Sequence, residues 1–288
     1  MKKTGFYILY SLAVLLVFGY LLFPGRTISD YLQSQVAQKG NGMELSMGGM
    51  GLALPLGLEM RDVKVSSQGQ TLFTAGRVKV TPGLRLLIGK PAFSVKMKCY
   101  GGTIKLSMNS LERNLQGPVS VRVQLSGVNP KDMGLFTKFT GRTIAGTVDG
   151  EASYQGQIAQ WTKGTGSAAF TLTEGKMEML ADLIGINSFS VTKATAEAEL
   201  SQGTLAIKKC EMEGRELSGS LAGKVALAEP VTQSRVDING KVTPAPALFQ
   251  QLGSSSPVTQ MLRSQMARTG SIPFSITGTL GANEVAFH

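Results

Sequence analysis

The segment TPGLRLLIGKPAFSVKMKCYGGTIKLS, residues 81–107, shows the pattern that most of this chain repeats. From residue 92 onward apolar and polar side chains alternate, with Val95 and Met97 on one side and Lys96 and Lys98 on the other. Residues two apart share a face of a β-strand. The alternation therefore predicts a strand with one apolar and one basic face.

Both ends of that strand carry further signals. Before it, Pro82 presets φ for a short helical turn that Gly89 can end. Leu84 and Leu87 give this turn an apolar side. After the strand, the pair Gly101-Gly102 predicts a tight turn. The segment as a whole predicts a helical turn that leads into a β-hairpin.

The same alternation recurs along the chain, in residues 119–125, 144–154, 168–172 and 272–280. Dipeptides that contain glycine and are typical of turns lie between or near these segments, at Gly101-Gly102, Asp149-Gly150, Glu174-Gly175 and Asn239-Gly240. No regular helix separates successive strands, which favours antiparallel meanders over parallel βαβ units. We therefore expect a mainly β fold of antiparallel, curved and meandering sheets.

Each predicted sheet has one apolar face that needs cover. A closed sandwich or barrel, the commoner arrangement, covers that face with itself. An open, curved sheet instead presents an apolar groove that can take a lipid chain or a protein partner. The alternation is the same in both cases, so both alternatives stay open.

Three segments break the strand pattern and predict short covering helices. Met133, Phe136 and Phe139 recur at helical spacing in the first, and Leu180, Leu183 and Ile184 do so in the second. The third, residues 244–270, has prolines near a helix start and a break at residues 253–256 before a second apolar series. Each helix is expected to cover an edge or an end of a sheet.

The N-terminal run from Gly5 to Phe23 contains nineteen residues and no charge. At 1.5 Å per residue it can just cross a hydrocarbon core of about 30 Å. A cleavable signal peptide is the alternative, but the run is longer than a signal's apolar region of about 7–15 residues and no small-x-small site follows it. We therefore predict an uncleaved transmembrane anchor.

The anchor divides the chain into four predicted parts. Residues 1–4, with Lys2 and Lys3, form a cytoplasmic N-terminus, and residues 5–23 span the membrane. Residues 24–40 form a juxtamembrane helix, with Thr27 or Ser29 as its N-cap and Gly40 as its stop. Residues 41–288 form a periplasmic β-rich domain of one unit, or of two that divide near residues 130–145.

Composition narrows the range of functions. Glycine supplies 35 of the 288 residues, which suits turns and bulges better than helices. The formal net charge is +10, a balance that suits anionic lipid headgroups or an acidic partner. The basic residues are scattered and no arginine-rich, aromatic-interleaved segment occurs, so we do not expect nucleic acid as a partner.

The residues that enzymes use most are scarce. The one histidine, His288, ends the chain, and the two cysteines, Cys99 and Cys210, form no CxxC motif. Asp149 and Glu151 share a strand face, but a solvated face explains them as well as acid–base chemistry does. We expect no catalytic, cofactor-binding or metal-binding residues and no enzymatic activity. The two cysteines are either a disulfide or two half-buried strand residues.

Taken together, the anchor, the segment PLGLEMRDVKV at residues 55–65, residues 82–102, the β-rich middle and the closing SIPFSITGTL resemble the type II secretion system protein N family. That family is similar in turn to the AsmA-like periplasmic proteins. The resemblance covers nearly the whole chain and carries no catalytic residues with it. This chain departs from the family in having no distinct proline-rich linker after the anchor.

The resemblance implies a non-enzymatic, single-pass inner-membrane subunit that acts through protein contacts in the periplasm. Its partners would be the inner membrane and other components of the type II secretion system. The AsmA-like alternative implies a lipid-handling or envelope-biogenesis protein whose one-faced strands line an apolar groove. A sheet closed on itself would exclude that alternative.

Overall fold

The computed structural model describes residues 22–39, 42–53, 57–113, 117–133, 143–178, 188–252 and 266–288, together with residues 7, 10, 18, 20, 260 and 264. The fifteen strands in the described residues are β1 Met43–Ser46, β2 Gly49–Ala53, β3 Gly57–Ser67, β4 Gln70–Pro82, β5 Ala92–Cys99, β6 Gly102–Ser110, β7 Val119–Val128, β8 Ile144–Gly156, β9 Thr165–Glu178, β10 Ser188–Ser201, β11 Thr204–Gly214, β12 Leu217–Ala226, β13 Arg235–Pro244, β14 Ile272–Thr279 and β15 Ala282–Phe287. Two helices have both ends within the described residues, α1 Gly25–Lys39 and α2 Pro246–Leu252, and the described 3₁₀ turns are Leu84–Ile88, Pro130–Asp132, Ile158–Lys163 and Val231–Gln233. The predicted mainly β, antiparallel fold is confirmed.

All fifteen strands belong to one antiparallel sheet. From β3 to β15 each strand pairs with the strand that follows it in the chain. The short strands β1 and β2 pair with the two ends of β3 and together form one edge of the sheet, while β15 forms the other. Among the described residues the two edges do not pair with each other, so the sheet is open rather than closed.

Three of the hairpins turn on a two-residue loop with positive φ at both positions. The loops are Gln68-Gly69, with φ of 52° and 77°, Tyr100-Gly101, with 51° and 76°, and Gln202-Gly203, with 48° and 77°. Such type I′ turns match the twist of the flanking strands and favour glycine at the second position. The turn predicted at Gly101-Gly102 therefore lies one residue earlier, and Gly102 begins β6.

The other three predicted glycine turns are wrong, because these glycines lie within strands. Gly150 lies inside β8 and Gly240 inside β13, and Glu174-Gly175 lies in β9, where Glu174 has a φ of 51°. A Cβ at Gly150 would approach the ring of Phe170 to 2.5 Å, and one at Gly240 would approach the ring of Phe274 to 2.4 Å. Glycine makes room there for an aromatic ring on the neighbouring strand.

Helix α1 covers the apolar face at the β1/β2 edge. Its Leu32 packs against a buried cluster of side chains from β3 to β7. The predicted N-cap is wrong, because the helix begins at Gly25, directly after Pro24, and Ser29 lies within it. The hydroxyl of Ser29 donates to the carbonyl oxygen of Arg26 at 3.0 Å, so it bonds along the helix rather than capping it.

The predicted helix near Pro246 is confirmed as α2, where Leu248 is only 3% exposed. The predicted helix that includes Met133 lies largely outside the described residues, as do those at residues 180–184 and 258–266. Near the predicted division at residues 130–145, strand β7, which ends at Val128, pairs directly with β8, which begins at Ile144.

The predicted span from Gly5 to Phe23 lies mostly outside the described residues. Within the part of the chain that the structure describes, no helix is both long and apolar enough to cross a membrane. The described large side chains of this run are more than half exposed, from 53% for Tyr20 to 73% for Leu22. The sheet therefore does not cover these side chains.

Candidate functional site: an uncovered apolar sheet face

Two rows of side chains, one residue per strand in direct register, cross the apolar face from β2 to β15. We call them the apolar rows. The first consists of Met50, Met60, Val78, Met97, Ile104, Leu125, Gly150, Phe170, Ala196, Cys210, Leu221, Gly240, Phe274 and Phe287. The second consists of Leu52, Leu58, Val80, Val95, Leu106, Val123, Ala152, Ala168, Ala198, Ile207, Gly223, Ile238, Ile276 and Val285. No polar side chain interrupts either row.

Cover on this face is uneven. In the first row Val78 and Ile104 are buried, and they belong to the cluster beneath α1. From Leu125 to Phe274 every member of that row is only half-buried, and the second row behaves in the same way from Leu52 to Ile276. Among the described residues, no second layer of structure therefore seals the two apolar rows on the central strands.

The accessible surface agrees with an uncovered sheet. The chain exposes 18464 Å². A compact monomer of 30.5 kDa is expected to expose about 11,800 Å². A large sheet that lacks a partner layer contributes to such an excess.

Glycine and aromatic residues shape the floor of this face. Phe170 lies against Gly150 on the adjacent strand, and Phe274 lies against Gly240 in the same way. Because glycine has no side chain, each ring can lie close to the backbone of its neighbour instead of standing above the sheet. These contacts connect residues far apart in the chain, so only the strand register reveals them.

The opposite face of the sheet is polar and, over β3 to β6, basic. Lys79, Lys96 and Lys105 lie directly opposite one another in one row, and Arg77 and Lys98 pair in the next. Like charges in direct register are unfavourable. The predicted outward direction of Lys96 and Lys98 is confirmed, since both are exposed.

One acidic side chain partly balances this basic face. Glu59 lies 3.4 Å from the guanidinium groups of both Arg61 and Arg77. On the later strands the charges are mixed, with ion pairs of 2.9 Å between Lys208 and Glu199 and between Lys209 and Glu211. The Lys209 amine donates a hydrogen bond to the Glu211 carboxylate, which raises the pKa of that amine. The side chains of both pairs are exposed, so this part of the polar face is in contact with water.

The two cysteines are free thiols on the apolar face. Cys99 lies at the end of β5 and Cys210 within β11, six strand spacings away, which is roughly 29 Å along the sheet. A disulfide needs Cα atoms within about 7 Å, so these two cannot bond to each other. Burial raises the pKa of both thiols, which keeps them protonated.

The acidic pair considered for acid–base chemistry has a structural explanation. Asp149 and Glu151 lie on the polar face of β8 as predicted, and both are exposed. The Asp149 carboxylate accepts a hydrogen bond of 2.9 Å from the backbone N–H of Gly127, which has a φ of 64° in a bulge of β7. Asp149 therefore stabilises the bulge.

The other described side chains that could bind a metal ion do not lie close to one another. His288 lies on the polar edge of the sheet, where its Nε2 is 2.9 Å from the hydroxyl of Ser275. Among the described residues, no three histidine, cysteine or carboxylate side chains lie close enough together to hold a metal ion. The described residues build a long apolar face with open edges, a surface that can bind an apolar ligand or a partner strand.

Comparisons with models of known protein families, with curated proteins and with solved structures found no match to this chain.

Proposed function

We propose that this chain is a non-enzymatic accessory subunit of the type II secretion system, anchored in the inner membrane with its sheet in the periplasm. The resemblance of its sequence to the protein N family motivates the assignment. The structural observation that supports it is the open edge at β15, where a strand from another secretion component can add to the sheet.

The free edge of β15 has defined donors. The N–H of His288 donates to the carbonyl oxygen of Pro273 on the β14 side at 3.0 Å. Since backbone groups alternate in direction along a strand, the N–H groups of Val285 and Phe287 point away from β14. All six residues of β15 are exposed. An extended segment of a partner can therefore pair with this edge without displacing any described strand.

Proline and alanine substitutions at Val285 separate edge pairing from side-chain contact. Val285→Pro removes an outward N–H without taking a donor from the β14 ladder, while Val285→Ala keeps that N–H and removes most of the side chain. We expect co-purification from native membranes to recover inner-membrane secretion components with the wild-type chain and with Val285→Ala. Val285→Pro should lose most of that recovery.

Two results would contradict the assignment. One is repeated failure of the wild-type chain to recover secretion components. The other is normal secretion of folded proteins in a strain that lacks the gene. If Val285→Pro and the wild-type chain recover the same partners equally, the contact lies elsewhere on the molecule.

A second candidate function is lipid handling on the apolar face. It is favoured by the two uninterrupted apolar rows, whose central members are only half-buried. An acyl chain laid across these strands would cover apolar surface that water now contacts, at roughly 25 cal/mol for each Å² removed from water. The open sheet leaves this alternative standing, because a closed sheet would have excluded it.

Adjacent alanines on β9 provide a matched test of that candidate. Ala168 belongs to the second apolar row, whereas Ala169 is exposed on the polar face. A phospholipid with a photoactivatable acyl chain, added to membranes that contain the full chain, should crosslink to the wild-type protein and to Ala169→Glu. It should crosslink severalfold less to Ala168→Glu, because that variant buries a charge under the lipid. Equal crosslinking of the two variants would count against lipid binding on this face.

A further inference from the structure

Between β2 and β15, the exposed apolar side chains that the structure describes lie along one of the two rims of the sheet, where the strands are connected. The connections that follow even-numbered strands, such as the one from β4 to β5, lie at one rim, which we call the upper rim. From β3 onward, the connections that follow odd-numbered strands lie at the other, the lower rim. Among the described residues between β2 and β15, the exposed large apolar side chains are those of Leu84, Leu86, Leu87, Ile88, Leu111, Ile158, Trp161, Val231 and Leu280. Every one of them lies in an upper-rim connection, whereas much of the lower rim, at residues 134–142, 179–187 and 253–265, lies largely outside the described residues.

Four of these nine residues lie in the single 3₁₀ turn Leu84–Ile88, which we call the leucine turn. Leu84 and Leu87 are each 85% exposed, Ile88 is 66% exposed and Leu86 is 52% exposed. None of the residues of this turn is buried. The predicted apolar side of the turn therefore exists but does not pack against the sheet. So exposed an apolar cluster indicates a surface that a membrane or another molecule covers.

The backbone of the leucine turn satisfies its own hydrogen bonds. The N–H of Leu86 donates to the carbonyl oxygen of Gly83, and that of Gly89 to Leu86, both at 3.0 Å. The N–H of Lys90 donates to the carbonyl oxygen of Arg85 at 3.1 Å, and Gly89 closes the turn with a φ of 75°. Internal bonding of this kind lowers the cost of moving a backbone segment out of water.

The charges that accompany the turn are all positive. Residues 82–91 read PGLRLLIGKP, with Arg85 and Lys90 and no acidic residue. Long basic side chains of this type keep their charged ends in the headgroup layer while neighbouring apolar side chains enter the acyl region. The combination suits an anionic lipid surface.

The leucine turn lies at the end of the sheet that is nearest to the N-terminal apolar run. Tyr20, in that run, lines a cleft together with residues 48–53 and Lys79. Lys79 precedes the last three residues of β4, and β4 leads directly into the turn. Gly25 lies so close to the backbone of Met50 on β2 that it has no room for a Cβ atom. The point where the chain leaves the predicted anchor is thus held against β2, which pairs with β3 beside β4.

We infer that the leucine turn is a second membrane contact, which inserts into the interfacial region of the bilayer in which the N-terminal run is anchored. Arg85 and Lys90 then lie among anionic headgroups, and the upper rim near β4 and β5 faces the lipid. This inference rests on the proposed anchorage in a membrane and goes beyond it, because an anchor alone leaves the orientation of the sheet free.

The test places a fluorescent probe on the turn in the full chain. In a Cys99→Ala/Cys210→Ala background, Leu87→Cys carries an environment-sensitive fluorophore, and the protein is reconstituted into vesicles of phosphatidylethanolamine and phosphatidylglycerol. Met43→Cys is the matched control, because Met43 is 46% exposed at the lower rim. Flotation of the vesicles reports anchorage separately for every sample.

We expect the probe at residue 87 to show blue-shifted emission and severalfold stronger quenching by lipids with a nitroxide on the acyl chain than the probe at residue 43. Replacing Arg85 and Lys90 with glutamine should reduce that quenching while flotation is unchanged. Equal quenching at the two positions in a chain that floats would overturn the inference but leave the anchorage intact. A chain that does not float would overturn both.

One further outcome identifies a protein occupant instead of lipid. If the probe at residue 87 shifts to the blue in native membranes but stays solvent-exposed in pure lipid vesicles, the turn binds a protein partner and the membrane inference is wrong.

Discussion

The two ends of the apolar face have the same sequence pattern but different cover. At the β1 to β7 end, α1 and the first strands enclose a cluster of buried side chains that includes Val63, Val78 and Val128. On the strands that follow, equally apolar side chains such as Phe170 and Ile238 stay half-buried. The later strands also bury side chains toward their ends, among them Val191, Val225 and Val236. The difference therefore lies along the two apolar rows, which the later strands leave free to bind a ligand.

The largest expected effect is on stability, and it compares one isoleucine from each region. Ile104 belongs to the buried cluster and is 8% exposed, whereas Ile238 on β13 is half-buried. Ile104→Ala should lower the free energy of unfolding by about 2–4 kcal/mol because it leaves a cavity. Ile238→Ala should cost about 1 kcal/mol, since its surroundings are already open to water. Urea denaturation of the full chain in detergent measures both.

A larger loss for Ile238→Ala than for Ile104→Ala would contradict the comparison. It would mean that Ile238 is more deeply buried in solution than Ile104, with a further layer of protein or detergent over the later strands.

A smaller effect is expected at a buried carboxylate in the open region. Glu216, between β11 and β12, is 5% exposed, and its Oε2 accepts a hydrogen bond of 2.8 Å from the backbone N–H of Ser190. Glu216→Ala leaves that N–H without its partner and should cost about 1–3 kcal/mol. Glu216→Gln keeps an acceptor oxygen and should cost less. If both variants unfold at the same urea concentration as the wild type, this contact does not stabilise the later strands.

Thiol labelling compares the two regions without changing the sequence. Burial raises the pKa of both Cys99 and Cys210, so their thiolate fraction at neutral pH is lower than that of an ordinary cysteine. Reaction with a maleimide should therefore be slow for both and should accelerate as the pH rises. Cys210, half-buried in the open region, should react severalfold faster than the buried Cys99. Faster labelling of Cys99 would show that the buried cluster to which it belongs opens transiently.

The smallest effect concerns the polar face of the covered end. Lys96 lies between Lys79 and Lys105 in direct register. Lys96→Gln should raise the free energy of unfolding by a few tenths of a kcal/mol in low salt, because it removes like-charge repulsion. The gain should shrink in high salt as the charges are screened. A loss of stability that persists in high salt would indicate that the lysine stem packs on the sheet.

Much of this fold follows from the sequence because a strand's two faces are encoded in adjacent residues. The alternation at Val95, Lys96 and Met97 predicts the faces of β5 correctly, and the same rule holds across the sheet. Closure could not be predicted, because a closed and an open sheet need the same alternation. Whether β15 meets β1 or β2 depends on the curvature accumulated over the whole sheet.

The glycines show a second limit of local reasoning. Gly69 and Gly203 lie in tight turns, whereas Gly150 and Gly240 lie in strand interiors beneath aromatic rings. A dipeptide such as Asn239-Gly240 is typical of a turn, but its role depends on Phe274, which lies in register with Gly240 on the next strand. Strand register is a long-range property, so the apolar rows and their flat-lying rings become visible only in the folded chain.

The strand order has a consequence for how such a chain can be built and changed. From β3 onward each strand pairs with its immediate successor. Strand pairing therefore joins segments that are close together in the sequence. Contacts between chain neighbours close short loops and favour fast, stepwise folding from one end. The same order lets a hairpin be gained or lost without rearranging the others, as in repeat proteins. The span of the sheet can therefore lengthen or shorten in evolution while its two faces keep their character.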